Sequence, residues 1–148
     1  MPDLASEQLQ AAVRLLPPEE VPSAQALLRQ IQEPERWLRL GDLLMSHGEY
    51  EAAANAYDHA AALGAPLADA AAGLGSALIA LEAWEDAAQV LNQEIEAAPN
   101  DARICNNLGV VARETGNVEQ ARHLFAKAVE LAPDWDLPQK NLEALPKP

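Results

Sequence analysis

Three glycines spaced 34 residues apart, Gly41, Gly75 and Gly109, each follow a leucine (Leu40, Leu74, Leu108), and no other feature of the chain limits its fold as tightly. A period of that length is one helix-turn-helix unit. The same register carries Ala53, Ala87 and Ala121, and four residues further on the bulky Tyr57, Leu91 and Phe125. Pro99 and Pro133 close the second and third units, and Pro66 closes the first one residue late. A small residue opposite a large one lets two helix backbones approach closely, which predicts the crossing inside each unit. Trp37, Leu40 and Leu44 fall on a single helical face, repeated as Ala71, Leu74, Leu78 and as Cys105, Leu108, Ala112. The turns His47-Gly48-Glu49 and Thr115-Gly116-Asn117 separate the helices of a unit, with glycine suited to a left-handed residue just past a helix end.

This pattern resembles the tetratricopeptide repeat family over roughly residues 34–135. Trp37-x-x-Leu40-Gly41-x-x-Leu44 matches the first-helix signature of that family, with Leu44 where a tyrosine is usual. Ala53-x-x-x-Tyr57-x-x-Ala60 and Ala121-x-x-x-Phe125-x-x-Ala128, followed by Pro133, match the second helix. The departures are local: Glu82 replaces the turn glycine of the middle unit, Glu94 its small alanine, and Ala71 and Cys105 stand where tryptophan is common. The expected architecture is an all-α, right-handed α-solenoid: an N-terminal helical pair (1–33), repeats at 34–67, 68–101 and 102–135, and a capping helix with a tail (136–148). The pair is read at 4–16 and 22–32, interrupted by Pro17-Pro18 and Pro22. The capping helix runs from Asp136 to Leu145 with Leu142 and Leu145 inward, and it hides the apolar face a last repeat would expose.

Composition excludes several classes of function. A net charge of −13, from 23 acids against 10 bases, repels a polyphosphate, so nucleic acid is not an expected partner. No apolar run reaches the length of a membrane span, and Met1–Gln10 has neither the basic nor the apolar region of a secretory leader, so the expected compartment is the cytoplasm. The lone Cys105 cannot form an internal disulfide and reads as a small packing residue. His47, His59 and His123 share no helical face, and no nucleophile, metal or phosphate-loop motif is present. Acidic pairs such as Glu85-Asp86 stand at helix N-termini, where the helix dipole favours them. The chain therefore reads as a non-enzyme without a cofactor.

What the family resemblance implies is a concave groove, lined by the first helices of the repeats, that binds a peptide or helix of a partner protein. On the faces left free by the core stripes stand Glu35, Leu38, Arg39, Asp42 and Met45, then Asp69, Ala72, Gly73, Ser76 and Ile79, then Arg103, Asn106, Asn107, Val110 and Arg113. The peptide-binding set is read from these as Leu38, Asp42, Met45, Asp69, Ala72, Ser76, Ile79, Arg103, Asn106, Asn107, Val110 and Arg113. The groove would be acidic at its start (Glu35, Asp42, Asp69) and basic at its end (Arg103, Arg113), over an apolar floor of Leu38, Met45, Ala72, Ile79 and Val110. Asn107 matches the asparagine with which family members often bond a peptide backbone, although a buried amide can equally tie down a neighbouring helix. The carboxylate clamp of heat-shock-chaperone partners requires a Lys and an Asn where this chain has Leu38 and Asp42, so that subtype is not expected. The functional expectation is a protein-binding adaptor or scaffold, with a bacterial secretion-type chaperone as a narrower version. Two alternatives stay open: a homo-oligomer whose groove takes another copy's N-terminal segment, and a regulatory fragment of a larger enzyme.

Overall fold

A computed structural model describes residues 13–22 and 34–148. Most of the N-terminal pair expected at 4–16 and 22–32 lies outside the described residues; within them the first helix ends at Val13, and 14–16 form a turn where helix was expected. Seven helices follow among the described residues: α1 (Pro34–Ser46), α2 (Tyr50–Ala62), α3 (Leu67–Ala80), α4 (Trp84–Ala97), α5 (Ala102–Glu114), α6 (Val118–Leu131) and α7 (Asp136–Glu143). Each packs on the next along the chain, and α3 also packs on both α1 and α5. The first helices thus form one continuous row, with α2, α4 and α6 behind it. The fold is an all-α solenoid.

The glycine register works as a set of sockets. A Cβ on Gly41 would sit 2.6 Å from Cε1 of Tyr57, one on Gly75 2.5 Å from Cδ2 of Leu91, and one on Gly109 2.6 Å from Cε1 of Phe125. Real carbon atoms do not approach that closely, so only glycine admits the large residue of its own second helix. Ala53, Ala87, Ala121, Leu91 and Phe125 have no exposed surface. Burial runs as three clusters along the solenoid: the first centres on Trp37, Leu40, Leu44 and Tyr57, the second on Leu91, Ile104 and Leu108, the third on Ala112, Phe125 and Leu145. Val13 and Leu16, from the described N-terminal residues, are buried in the first, and Glu20 Oε2 lies 3.1 Å from His47 Nε2 in the first turn. His59 stacks on Trp37 with ring centroids 4.7 Å apart.

The middle unit departs from the expected stripe. Along α3 the buried residues are Ala70, Ala72, Gly75 and Ala77, while Ala71, Leu74 and Leu78 are half-buried. Asp69 and Ser76 are the only polar side chains in this helix, so apolar residues surround its axis and periodicity cannot single out one face. Its closing turn departs from the family in residue type alone. Gly48, Glu82 and Gly116 recur at the 34-residue period with φ of 75°, 58° and 86°. Glu82 thus holds the left-handed conformation its neighbours in register leave to glycine. An L-residue pays about 1–2 kcal/mol there, and glycine returns part of that gain as chain entropy. Glu82→Gly should therefore stabilise the protein by about 1 kcal/mol and raise Tm by about 2–4 °C. Thermal unfolding followed by circular dichroism checks this, and an unchanged or lowered Tm would contradict it.

Candidate functional site

Between the first helices lies a cavity of about 380 Å³, lined by Asp42, Met45, Tyr57, Asp69, Ala72, Gly73, Ser76, Arg103, Asn106, Asn107, Trp135 and Leu137. Eight of the twelve residues expected in a groove meet here: Asp42 and Met45 from α1; Asp69, Ala72 and Ser76 from α3; Arg103, Asn106 and Asn107 from α5. Four lie elsewhere. Leu38 packs against the first core cluster, Ile79 against the second and Val110 against the third. Arg113, at the far end of α5, donates from Nε to Glu114 Oε1 at 2.8 Å. All five floor residues pack into the cores that join successive units, and of them Met45 and Ala72 also line the recess, so the apolar floor there is shorter than expected.

Tyr57 is the residue whose place the repeat pattern only half explains. Its ring fills the socket at Gly41 and is closed on by Gly73 as well, where an added Cβ would lie 2.6 Å from Cδ1 and from Cζ. Between the two glycines its hydroxyl reaches the cavity and donates to Asp42 Oδ1 at 2.8 Å. Burial, reinforced by the hydrogen bond to Asp42 and its charge, pushes the phenol far above its ordinary range, so it stays a donor. Trp135 and Leu137, at the start of the capping helix, complete the wall. Neither belongs to a first-helix face of the three repeats, so a groove read from those faces omits them.

The two cations at the expected basic end are both paired within the chain. Arg103 pairs with Asp69 Oδ1 at 2.8 Å, and its Nε and Nη2 donate to the two carboxylate oxygens of Asp101 at 3.1 and 2.6 Å. The Asp101 bonds raise the Arg103 guanidinium well above its ordinary range; burial opposes them and Asp69 adds to them. Burial pushes the Asp101 carboxyl up, yet Arg103 and two backbone N–H groups outweigh it and hold the acid below its ordinary range. Asp101 is also the N-cap of α5, accepting from the backbone N–H of Arg103 and Ile104. Arg103 thus gives Nε and Nη2 to carboxylates of its own chain, and Arg113 gives Nε to Glu114. Formal charge at the cavity wall is Asp42 and Asp69 against Arg103, a net negative site.

The two asparagines point in different directions. Asn107, 9% exposed, donates from Nδ2 to the carbonyl oxygen of Ala72 at 3.1 Å and to Ser76 Oγ at 3.0 Å. Both amide hydrogens go to α3, so the side chain ties helices together and retains only its oxygen for a guest. Asn106, 2% exposed, accepts at Oδ1 from Asn141 Nδ2 at 2.9 Å and so fastens α7 to α5. No group of three His, Cys, Asp or Glu side chains suited to a metal occurs among the described residues, nor any helix there long and apolar enough to cross a membrane. Cys105 is fully buried, and burial pushes its thiol up, away from the reactive thiolate.

Two family models, each described as tetratricopeptide repeat, match the sequence at residues 38–102 and 102–135. Among curated protein sequences none matches. Solved structures similar to this chain include MamA from Desulfovibrio magneticus RS-1, at 26% identity and a TM-score of 0.69, covering 94% of this chain and 80% of that one. The Sgt2 tetratricopeptide domain from Aspergillus fumigatus follows at 20% identity and TM-score 0.68, covering 74% of each chain. PcrH from Pseudomonas aeruginosa aligns at 22% identity and TM-score 0.67, over 75% of this chain and 89% of its own. It has also been solved in complex with the chaperone binding region of PopB. At such identities Sgt2 and PcrH speak for the fold alone.

Proposed function

Because the chain belongs to the tetratricopeptide repeat family, we propose that it is a non-catalytic adaptor that holds a segment of a partner protein in the cavity between its first helices. The observation that supports this reading most directly is the cavity itself. Helices α1, α3 and α5 each contribute residues to one recess of about 380 Å³, open beside the half-buried Met45 and the exposed Leu137. A concave site with apolar patches and a few convergent polar groups is the ordinary form of a recognition site. A narrower version, a chaperone for a secreted substrate, draws on the likeness to PcrH and its complex with a region of PopB.

The test is a pair of substitutions that removes the apolar part of the recess without changing charge. Met45→Asn with Leu137→Asn should lower partner capture from native extract about tenfold, since each lost apolar contact is worth ~1 kcal/mol or more. Leu137 is exposed and Met45 is half-buried against the first core cluster, so the helical spectrum should hold and Tm should fall by about 2–4 °C at most. Equal capture by wild type and variant would place the interface elsewhere. The self-assembly alternative gains nothing from the described residues: Val13 and Leu16 are buried in the chain's own first cluster. Residues 1–33 moreover carry five acids (Asp3, Glu7, Glu19, Glu20, Glu33) against Arg14 and Arg29, a poor match for a negative recess.

A further inference from the structure

We infer that the cavity between α1, α3 and α5 is a pocket for a cationic side chain, a lysine or arginine of the partner segment. The inference rests on the groove reading above and gives it a chemistry. Four side chains present acceptors there. Asp42 spends Oδ1 on the Tyr57 hydroxyl, and Oδ2 has no partner among the described residues. Asp69 gives Oδ1 to Arg103 and likewise keeps Oδ2. Asn107, nine-tenths buried, has both amide hydrogens committed to Ala72 and Ser76, and its Oδ1 is an acceptor in the wall without a partner among the described residues. Ser76 donates its hydroxyl hydrogen to the Ala72 carbonyl oxygen, so towards a guest it too can only accept.

The donors best placed to welcome an anion are largely engaged, with only Nη1 of Arg103 left over. Arg103 is turned to Asp101 and Asp69, and the Tyr57 hydroxyl to Asp42. A carboxylate in this cavity would meet two acids and share Arg103 with its carboxylates. An ammonium or guanidinium would meet a ring of acceptors and an aromatic neighbour, Trp135, suited to a cation. The whole chain, at −13, adds long-range attraction for a basic partner. Met45 and Leu137 can cover the aliphatic stem that carries such a charge.

The experiment uses the ¹⁵N-labelled full chain and four probes: the N-acetyl amides of lysine, arginine, norleucine and glutamate. Amide shifts at Ser76, Asn107 and Trp135 report occupancy. Lysine or arginine should saturate these shifts at concentrations about tenfold lower than norleucine, the size expected when hydrogen bonds to a charged group are lost. Added salt should weaken the binding. Asp42→Asn, which can still accept from Tyr57, should weaken it by a similar factor with Tm unchanged. Equal binding of norleucine would show an apolar pocket, preferred binding of glutamate an anion site at Arg103, and unsaturated shifts with both cations no site; each overturns the inference. Loss of partner capture in the Met45→Asn/Leu137→Asn variant without any cation preference would remove the pocket chemistry and leave the adaptor reading standing. Cation binding with unchanged capture would do the reverse.

Discussion

Phe125→Ala should cost about 3–5 kcal/mol of stability, the usual range for deleting a fully buried aromatic side chain. Phe125 has no exposed surface, and its ring fills the socket at Gly109, where the absence of a Cβ leaves nothing to collapse into the space. The chain has 148 residues, and at that size the loss lowers Tm by roughly 6–20 °C. Because each unit of a solenoid contacts only its neighbours, the damage should be graded along the chain. Hydrogen exchange should accelerate most in α5, α6 and α7, which share the cluster around Phe125, Ala112 and Leu145, and least in α1 and α2. Calorimetry and exchange mass spectrometry read both effects. A Tm drop under 3 °C, or uniform acceleration, would contradict the socket account.

The second large effect is expected at a residue that sequence periodicity assigns to the open face. Gly73→Ala should destabilise the protein by about 1–3 kcal/mol, as overpacking does, although alanine would otherwise improve the helix by about 1 kcal/mol. The added methyl would meet the Tyr57 ring, and that ring cannot retreat because Gly41 closes it from the other side. Tyr57→Leu, which removes the ring, should restore most of what Gly73→Ala loses when the two are combined. Such non-additivity between touching residues amounts to about 0.5–3 kcal/mol. Chemical denaturation of the two single variants and the double gives this coupling directly. Simple additivity would mean that Tyr57 and Gly73 do not share the space described.

Much of this architecture is written in the sequence because it rests on steric pairs at a fixed period. Gly41, Gly75 and Gly109 announce their partners by spacing alone, and helix identity follows. Side-chain pairing across units is not written there. Arg103 reads as a free cation along the chain, yet Asp69, from the preceding unit, and Asp101, two residues back, neutralise it. Leu38, Ile79 and Val110 lie on the predicted open face but are partly covered, because a unit's first helix touches the next unit as well as its own partner. Trp135 and Leu137 enter the recess through the turn of the chain into α7, a placement set by topology and not by helical period. Tyr57 carries two signals in one side chain: its bulk marks the core, and its hydroxyl marks the recess.

Asn141 stands 34 residues after Asn107, and each reaches back 35 residues to the preceding first helix, Asn107 to the Ala72 carbonyl oxygen and Asn141 to Asn106 Oδ1. Helix α7 is therefore moored as the opening half of a fourth unit. If residues 102–135 were duplicated in tandem, the copied Asn107 would face the original Asn106, and Asn141 would face the copied one. Both new joints would find the bond that already exists here. The chain's length is accordingly an adjustable quantity, and the α1, α3 and α5 portion of the recess would be inherited unaltered by a longer descendant.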